Sequence, residues 1–151
     1  MAVTDSDASA TRRRTPIHLW VVGVVALLWS LMGAFDYLAT QLRLEFYLSQ
    51  FTQEQLDYFY GVPAWAVAGW AFAVWAGLAG AIGLLWRRKW SAWAFAVSLA
   101  GMVVSSIYTL VLSKGTEMMG VSGTVFTMVI WAFSIFLLLY ARAQAKRGVL
   151  N

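Results

Sequence analysis

Apolar residues run almost unbroken through four stretches of this chain, and polar residues gather between them. The stretches lie at about 17–39, 64–86, 90–112 and 124–141. Each is long enough for a bilayer core, which takes about 20 apolar residues. Nothing resembling a soluble domain is left over. The pattern therefore predicts an all-α, integral membrane four-helix bundle over 17–142. It is preceded by a small, polar tail at 1–16 that reads as disordered and followed by a basic tail at 143–151. Although Arg12, Arg13 and Arg14 precede the first stretch, that stretch is too long for a signal peptide and lacks a small-residue cleavage site, so it is expected to remain as a span.

Spacing inside the stretches predicts how they pack. Gly69, Ala73, Gly77 and Ala81 recur every fourth residue in the second stretch, a ladder that lets a neighbouring backbone approach closely. Ala92, Ala96 and Ala100 continue the theme in the third. Only RRK separates the two, so they form an antiparallel hairpin. The one long connection contains FTQEQLDYFYGVP at 51–63. There Thr52 with Gln55 fits a capping box, and Gly61 with Pro63 ends one helix and starts the next. Residues 53–60 are expected to form a short amphipathic helix on the outer membrane surface, with Leu56, Phe59 and Tyr60 on its apolar face. The later connection, SKGTEMMGVSG, reads as flexible.

Composition narrows the class. The chain is 61% hydrophobic and only 12% charged, where soluble domains carry about 25% charge. Its net charge of +4 comes from basic residues beside apolar runs, which are topology signals and not a nucleic-acid footprint. Arg12, Arg13, Arg14, Arg87, Arg88, Lys89, Arg142, Lys146 and Arg147 fall on one side of the four spans. Only Arg43 and Lys114 fall on the other. The positive-inside rule then places both termini in the cytoplasm. Cysteine is absent and His18 is the sole histidine. That argues against a thiolate or structural zinc site and against bis-histidine haem within one chain. No phosphate loop, nucleophile elbow or spaced acid–base pair is present, so no catalytic residue and no cofactor is expected.

The candidate chemistry lies in the outer half. Asp36 is the only carboxylate inside an apolar run, and an ionisable residue there is a site hypothesis by default. Counted from Ile17, it lies roughly 28 Å across, near the outer interface, where it equally suits the end of a span. Ser105, Tyr108 and Thr109 share one helical face. With Asp36, Tyr37, Thr40 and Thr127 they would form an outer polar recess if spans one, three and four adjoin. The alternative is that the hydroxyls bond their own backbone. Glu54 and Asp57 would then form a lid over Asp36. Trp29, Trp75 and Trp131 fall at mid-span, where an indole N–H needs an acceptor, so they face the bundle, a partner or a ligand ring. Trp20, Trp65, Trp86, Trp90 and Trp93 suit interfacial belts.

Through FDYLATQ, YLSQFTQEQLDYFYGVPAW and AVWAGLAGAIGLLWRRKW the chain resembles a group of small four-span bacterial membrane proteins commonly labelled "sugar transporter". The resemblance covers about residues 17–115 and implies a bacterial inner-membrane location and sugar transport. Three functions stay open on the residues. The first is a small-solute binding or transport protein acting as a homo-oligomer. The second is an accessory or assembly subunit of a larger membrane complex. The third is a small multidrug-type exporter, for which the first span lacks the buried acid. All three share the lipid bilayer as partner, and none involves nucleic acid.

Overall fold

The computed structural model describes residues 15–151. Arg12, Arg13 and Arg14, expected to help set topology, lie outside the described residues. Among these, every regular element is helical. The order is α1 (Ile17–Gln41), α2 (Glu45–Leu48), α3 (Gln53–Tyr60), α4 (Ala64–Leu85), α5 (Trp90–Ile107) and α6 (Gly115–Lys146). A π-turn at Tyr108–Leu112 extends α5. With that turn counted into α5, α1, α4, α5 and α6 are long and apolar enough to cross a membrane. Most of their large apolar side chains, such as Leu28, Phe72, Met128 and Leu139, point outward. That surface suits lipid and not water.

The hairpin of α4 and α5 is the tightest packing in the bundle. A Cβ added to Gly101 would sit 2.6 Å from the Gly69 carbonyl oxygen and 2.7 Å from the Ala73 nitrogen. The Ser98 hydroxyl donates to the Ala73 carbonyl at 2.6 Å, so it bridges the helices instead of bonding its own. Lower down, Gly80 accepts the Phe95 ring and Gly83 accepts Trp90 and Ser91. The face that α5 turns to α4 is thus Ser91–Phe95–Ser98–Gly101. The alanine spacing pointed to Ala92, Ala96 and Ala100 instead, and Ala100 is exposed. Glycine and serine win that face because backbone-to-backbone approach excludes even a methyl group. Gly77 separates Ser98 of α5 from Ser30 of α1. Ser91 Oγ is buried without a hydrogen-bond partner among the described residues.

Helix α1 lies along α4, with Gly23 against Leu85. Helix α6 lies along α5 and reaches α1 through side chains, as Trp29 packs on Phe126 and Phe133. The His18 ring nitrogen Nδ1 lies 2.5 Å from the Tyr140 hydroxyl, which brings the start of α1 and the end of α6 to one end of the bundle. The 87–89 turn is at that same end, called the basic end below. Three helices close with Schellman turns: Leu44 N–H to Ala39 O, Arg88 N–H to Gly83 O and Val149 N–H to Gln144 O. The left-handed residue is Gly148 in the last but Arg43 and Arg87 in the others. A side chain there costs about 1–2 kcal/mol. Each arginine gains a compensating contact. Arg43 stacks 4.2 Å from the Tyr60 ring centre, and Arg87 Nε donates to the Val149 carbonyl at 3.2 Å.

The C-terminal residues do not form the free basic tail expected from 143–151. Helix α6 runs to Lys146, and Gly148 then turns the chain inward. Val149 and Leu150 insert beside Leu19, Leu84, Phe95 and Leu138, and Leu150 is fully buried. Asn151 closes the contact, since its N–H donates to the Arg87 carbonyl and its carbonyl accepts from Lys89 N–H. At the other end, where a flexible loop is expected over 113–123, the chain is helical from Gly115 onward with one interruption. Gly120 has φ 65° and ψ −168°, a conformation essentially confined to glycine.

Substitutions at these two closures should register in a melting curve taken in detergent. Gly101→Ala should destabilise by about 1–3 kcal/mol because neither backbone can yield. Gly33→Ala, with open space around it, should be neutral or stabilising. Leu150→Ala should cost about 2–5 kcal/mol, the usual loss for a fully buried leucine. A melting temperature unchanged by Leu150→Ala would show that the C-terminal insertion contributes nothing.

Candidate functional site

The segment between α1 and α4 folds over the far end, opposite the basic turn, and rings hold it there. Phe35 contacts Phe46 and Tyr47, Tyr47 contacts Phe51, and Phe51 contacts Phe59. Helix α3 carries the capping box, with Gln55 N–H donating to Thr52 Oγ1 and Thr52 N–H to Gln55 Oε1. Its Tyr58 stacks on Tyr108, which also meets the edge of Trp65. Tyr58 Oη lies 2.8 Å from Ser113 Oγ, and Tyr60 O–H donates to the Thr40 carbonyl. The aromatic residues of FTQEQLDYFYGVP thus grip their own chain.

The residues expected to share one recess divide into separate places. Asp36 is half-buried and accepts a short hydrogen bond from the Tyr47 hydroxyl. Burial, together with the hydrogen bond and charge of Asp36, pushes the Tyr47 phenol above its usual range. It therefore remains a neutral donor throughout the physiological range. Tyr37 sits edge-on between Trp70 and Trp75 of α4. Ser105 lies against Gly69, and its carbonyl accepts the Thr109 hydroxyl. Glu54 and Asp57 are both exposed, and Asp57 accepts from Gln53 within α3. Neither meets Asp36, whose cover is Tyr47 of α2. The recess required spans one, three and four to adjoin, but α4 stands between α1 and α5.

Thr109, Thr127 and Trp131 do come together. With Leu110, Thr116, Met119, Thr124 and Met128 they line a cavity of about 130 Å³ between the end of α5 and the start of α6. Two backbone irregularities form its walls. The π-turn widens α5 at 108–112, and the Gly120 break redirects α6. Gly115 presses against this region so closely that a Cβ would meet Thr109 Cγ2 at 2.5 Å and Tyr58 Oη at 2.6 Å. Thr109, Thr124 and Thr127 look polar in sequence but turn their hydroxyls back to their own backbone. Thr109 donates to Ser105 O, Thr124 to Gly120 O and Thr127 to Gly123 O. The exposed lining is almost wholly apolar. The Trp131 indole N–H has no acceptor among the described residues.

Met119, Thr116, Thr124, Met128 and Leu110 were not anticipated as lining. Their signal was the pair Gly120 and Gly123 inside an otherwise helical, threonine-rich stretch, which marks a break and not a flexible loop. Among the described residues no group of His, Cys, Asp and Glu is placed to hold a metal ion. No protein-family model, curated protein or solved structure matches this chain.

The Asp36–Tyr47 pair makes a separable prediction. Tyr47→Phe should lower stability by about 1–3 kcal/mol by leaving a half-buried carboxylate without its donor. Adding Asp36→Asn to Tyr47→Phe should recover part of that loss. Equal melting temperatures for wild type and Tyr47→Phe would mean that water serves Asp36 as well as the phenol does.

Proposed function

We propose that the chain is a non-enzymatic, multi-pass membrane protein that binds a small, largely apolar molecule. The site is the cavity at its far end. One observation carries this reading: the π-turn and the Gly120 break, on different helices, border the same cavity. Irregular backbone in an apolar span persists where it is covered by protein or lines a cavity, and π-turns recur at functional sites. An apolar cavity of about 150 Å³ stays dry and accepts benzene, so the space suits a single ring or a short branched chain. Met119 and Met128 supply adaptable walls, and the Trp131 ring completes the apolar lining. A sugar fits less well, because the Thr109, Thr124 and Thr127 hydroxyls already donate to their own backbone and the exposed lining is almost wholly apolar. The basic end faces the cytoplasm by the positive-inside rule, which gives N-in/C-in topology and opens the cavity outward. A bacterial inner membrane is the location that the sequence resemblance suggests for it.

A benzene-sized photoreactive diazirine in proteoliposomes tests this. Saturable labelling of the 108–131 region is expected, reduced at least tenfold by Thr127→Phe, which fills the cavity, while labelling of lipid-facing α4 stays constant. Labelling that rises linearly with probe and ignores Thr127→Phe would overturn the reading. Uptake of a sugar that Asp36→Asn abolishes would favour sugar transport in its place.

Trp75 supports a second reading, assembly with further copies or with another membrane subunit. It lies at the middle of α4, is 42% exposed, and its indole N–H has no acceptor among the described residues. An indole so placed in hydrocarbon gains from a covering helix that supplies a carbonyl or hydroxyl. In mild detergent the protein should run as a complex that Trp75→Leu dissociates without lowering helicity. A monodisperse single chain before substitution would exclude such a complex.

A further inference from the structure

The basic end holds a second cleft, distant from the apolar cavity and independent of it. It has a volume of about 400 Å³ and is lined by Lys89, Ala92 and Trp93 of the turn and α5, and by Arg142, Ala145 and Lys146 of α6. Lys89 and Trp93 are one helical turn apart, as are Arg142 and Lys146, so each element turns one face to the cleft. Ala92 and Ala145 keep its floor shallow. The C-terminal insertion fixes the geometry, because Lys89 N–H is tied to the Asn151 carbonyl and Arg87 Nε to the Val149 carbonyl.

We infer that this cleft binds the phosphate headgroup of an anionic phospholipid from the leaflet bordering the basic end. Lys89, Arg142 and Lys146 form no ion pair among the described residues. The acidic side chains among those residues, Asp36, Glu45, Glu54, Asp57 and Glu117, all belong to the far half of the molecule. The cations therefore face one another across the cleft with no acidic side chain of the described residues beside them, a cost that a phosphodiester removes. Trp93, 75% exposed, stands beside them with an apolar body and an N–H, the composition that settles at headgroup level. Above it, Val97 of α5 and Leu139 of α6 are exposed and apolar, a surface along which acyl chains can lie. A free phosphate would use the cations but gain nothing from Trp93 or that surface.

Native mass spectrometry of the full chain, released from neutral detergent after titration with phosphatidylglycerol or phosphatidylcholine, tests the assignment. Retention of one phosphatidylglycerol per chain is expected, at least tenfold tighter than phosphatidylcholine. Arg142→Gln and Lys146→Gln should each weaken it about fivefold. Arg88→Gln, the same charge change outside the cleft lining, should alter it less than twofold. Trp93→Ala should weaken lipid retention without affecting the melting temperature. Equal retention of the two lipids, or equal losses from Arg88→Gln and Arg142→Gln, would reduce the effect to diffuse surface charge and overturn the site. Inorganic phosphate binding as tightly as the lipid, unaffected by Trp93→Ala, would overturn the lipid assignment.

Discussion

Backbone contact between α4 and α5 at Gly69 and Gly101 is the constraint on which the other arrangements depend. With a four-residue turn at 86–89 and a close approach of two glycines further along, the hairpin register is held at both places. Helix α1 then packs along α4 and α6 along α5, with α1 and α6 meeting through side chains. In lipid no hydrophobic force draws helices together, so close packing and a few interhelical bonds, such as Ser98 to Ala73, supply the association energy. Phe95 seated on Gly80 and Trp90 on Gly83 lock the register towards the basic end.

That rigidity gives the two ends different chemistry. At the basic end the hairpin turn is clamped by the returning C-terminus, so charged side chains gather around a fixed backbone. At the far end no turn joins α4 to α5, and α5 loosens into a π-turn before the chain reverses into α6. The Gly120 break then lets α6 return to the bundle at an angle that leaves a cavity. Thr109, Thr124 and Thr127 at this point donate to their own backbone, and the cavity they line is almost wholly apolar. A polar-looking sequence therefore encloses an apolar space.

Much of the fold was legible. Four apolar stretches separated by short polar segments allow little other than spanning helices, and RRK permits only a hairpin. Thr52 with Gln55 marked the cap of α3 because the capping bond is made three residues away. The candidate site was less legible. Asp36, Tyr37, Thr40, Ser105, Tyr108 and Thr109 belong to the same half of their spans, but that does not say which helices are neighbours. Once α4 separates α1 from α5, Asp36 turns to Tyr47 and Tyr37 to Trp70 and Trp75. Likewise 143–151 looked like a basic tail by charge, although Gly148 followed by Val149 and Leu150 carries the Schellman pattern of a chain turning inward.

The sequence by itself determined the number of apolar helices, their order and the concentration of positive charge at one end. Those features rest on local hydropathy and chain length, which need no knowledge of neighbours. The tertiary structure alone decided that glycine and serine, not alanine, face α4 from α5. It also decided that the Thr109, Thr124 and Thr127 hydroxyls bond backward around an apolar cavity, and that the last residues close the basic end. Each of these depends on which surface lies within a few ångströms of another, and residues distant along the chain set that separation.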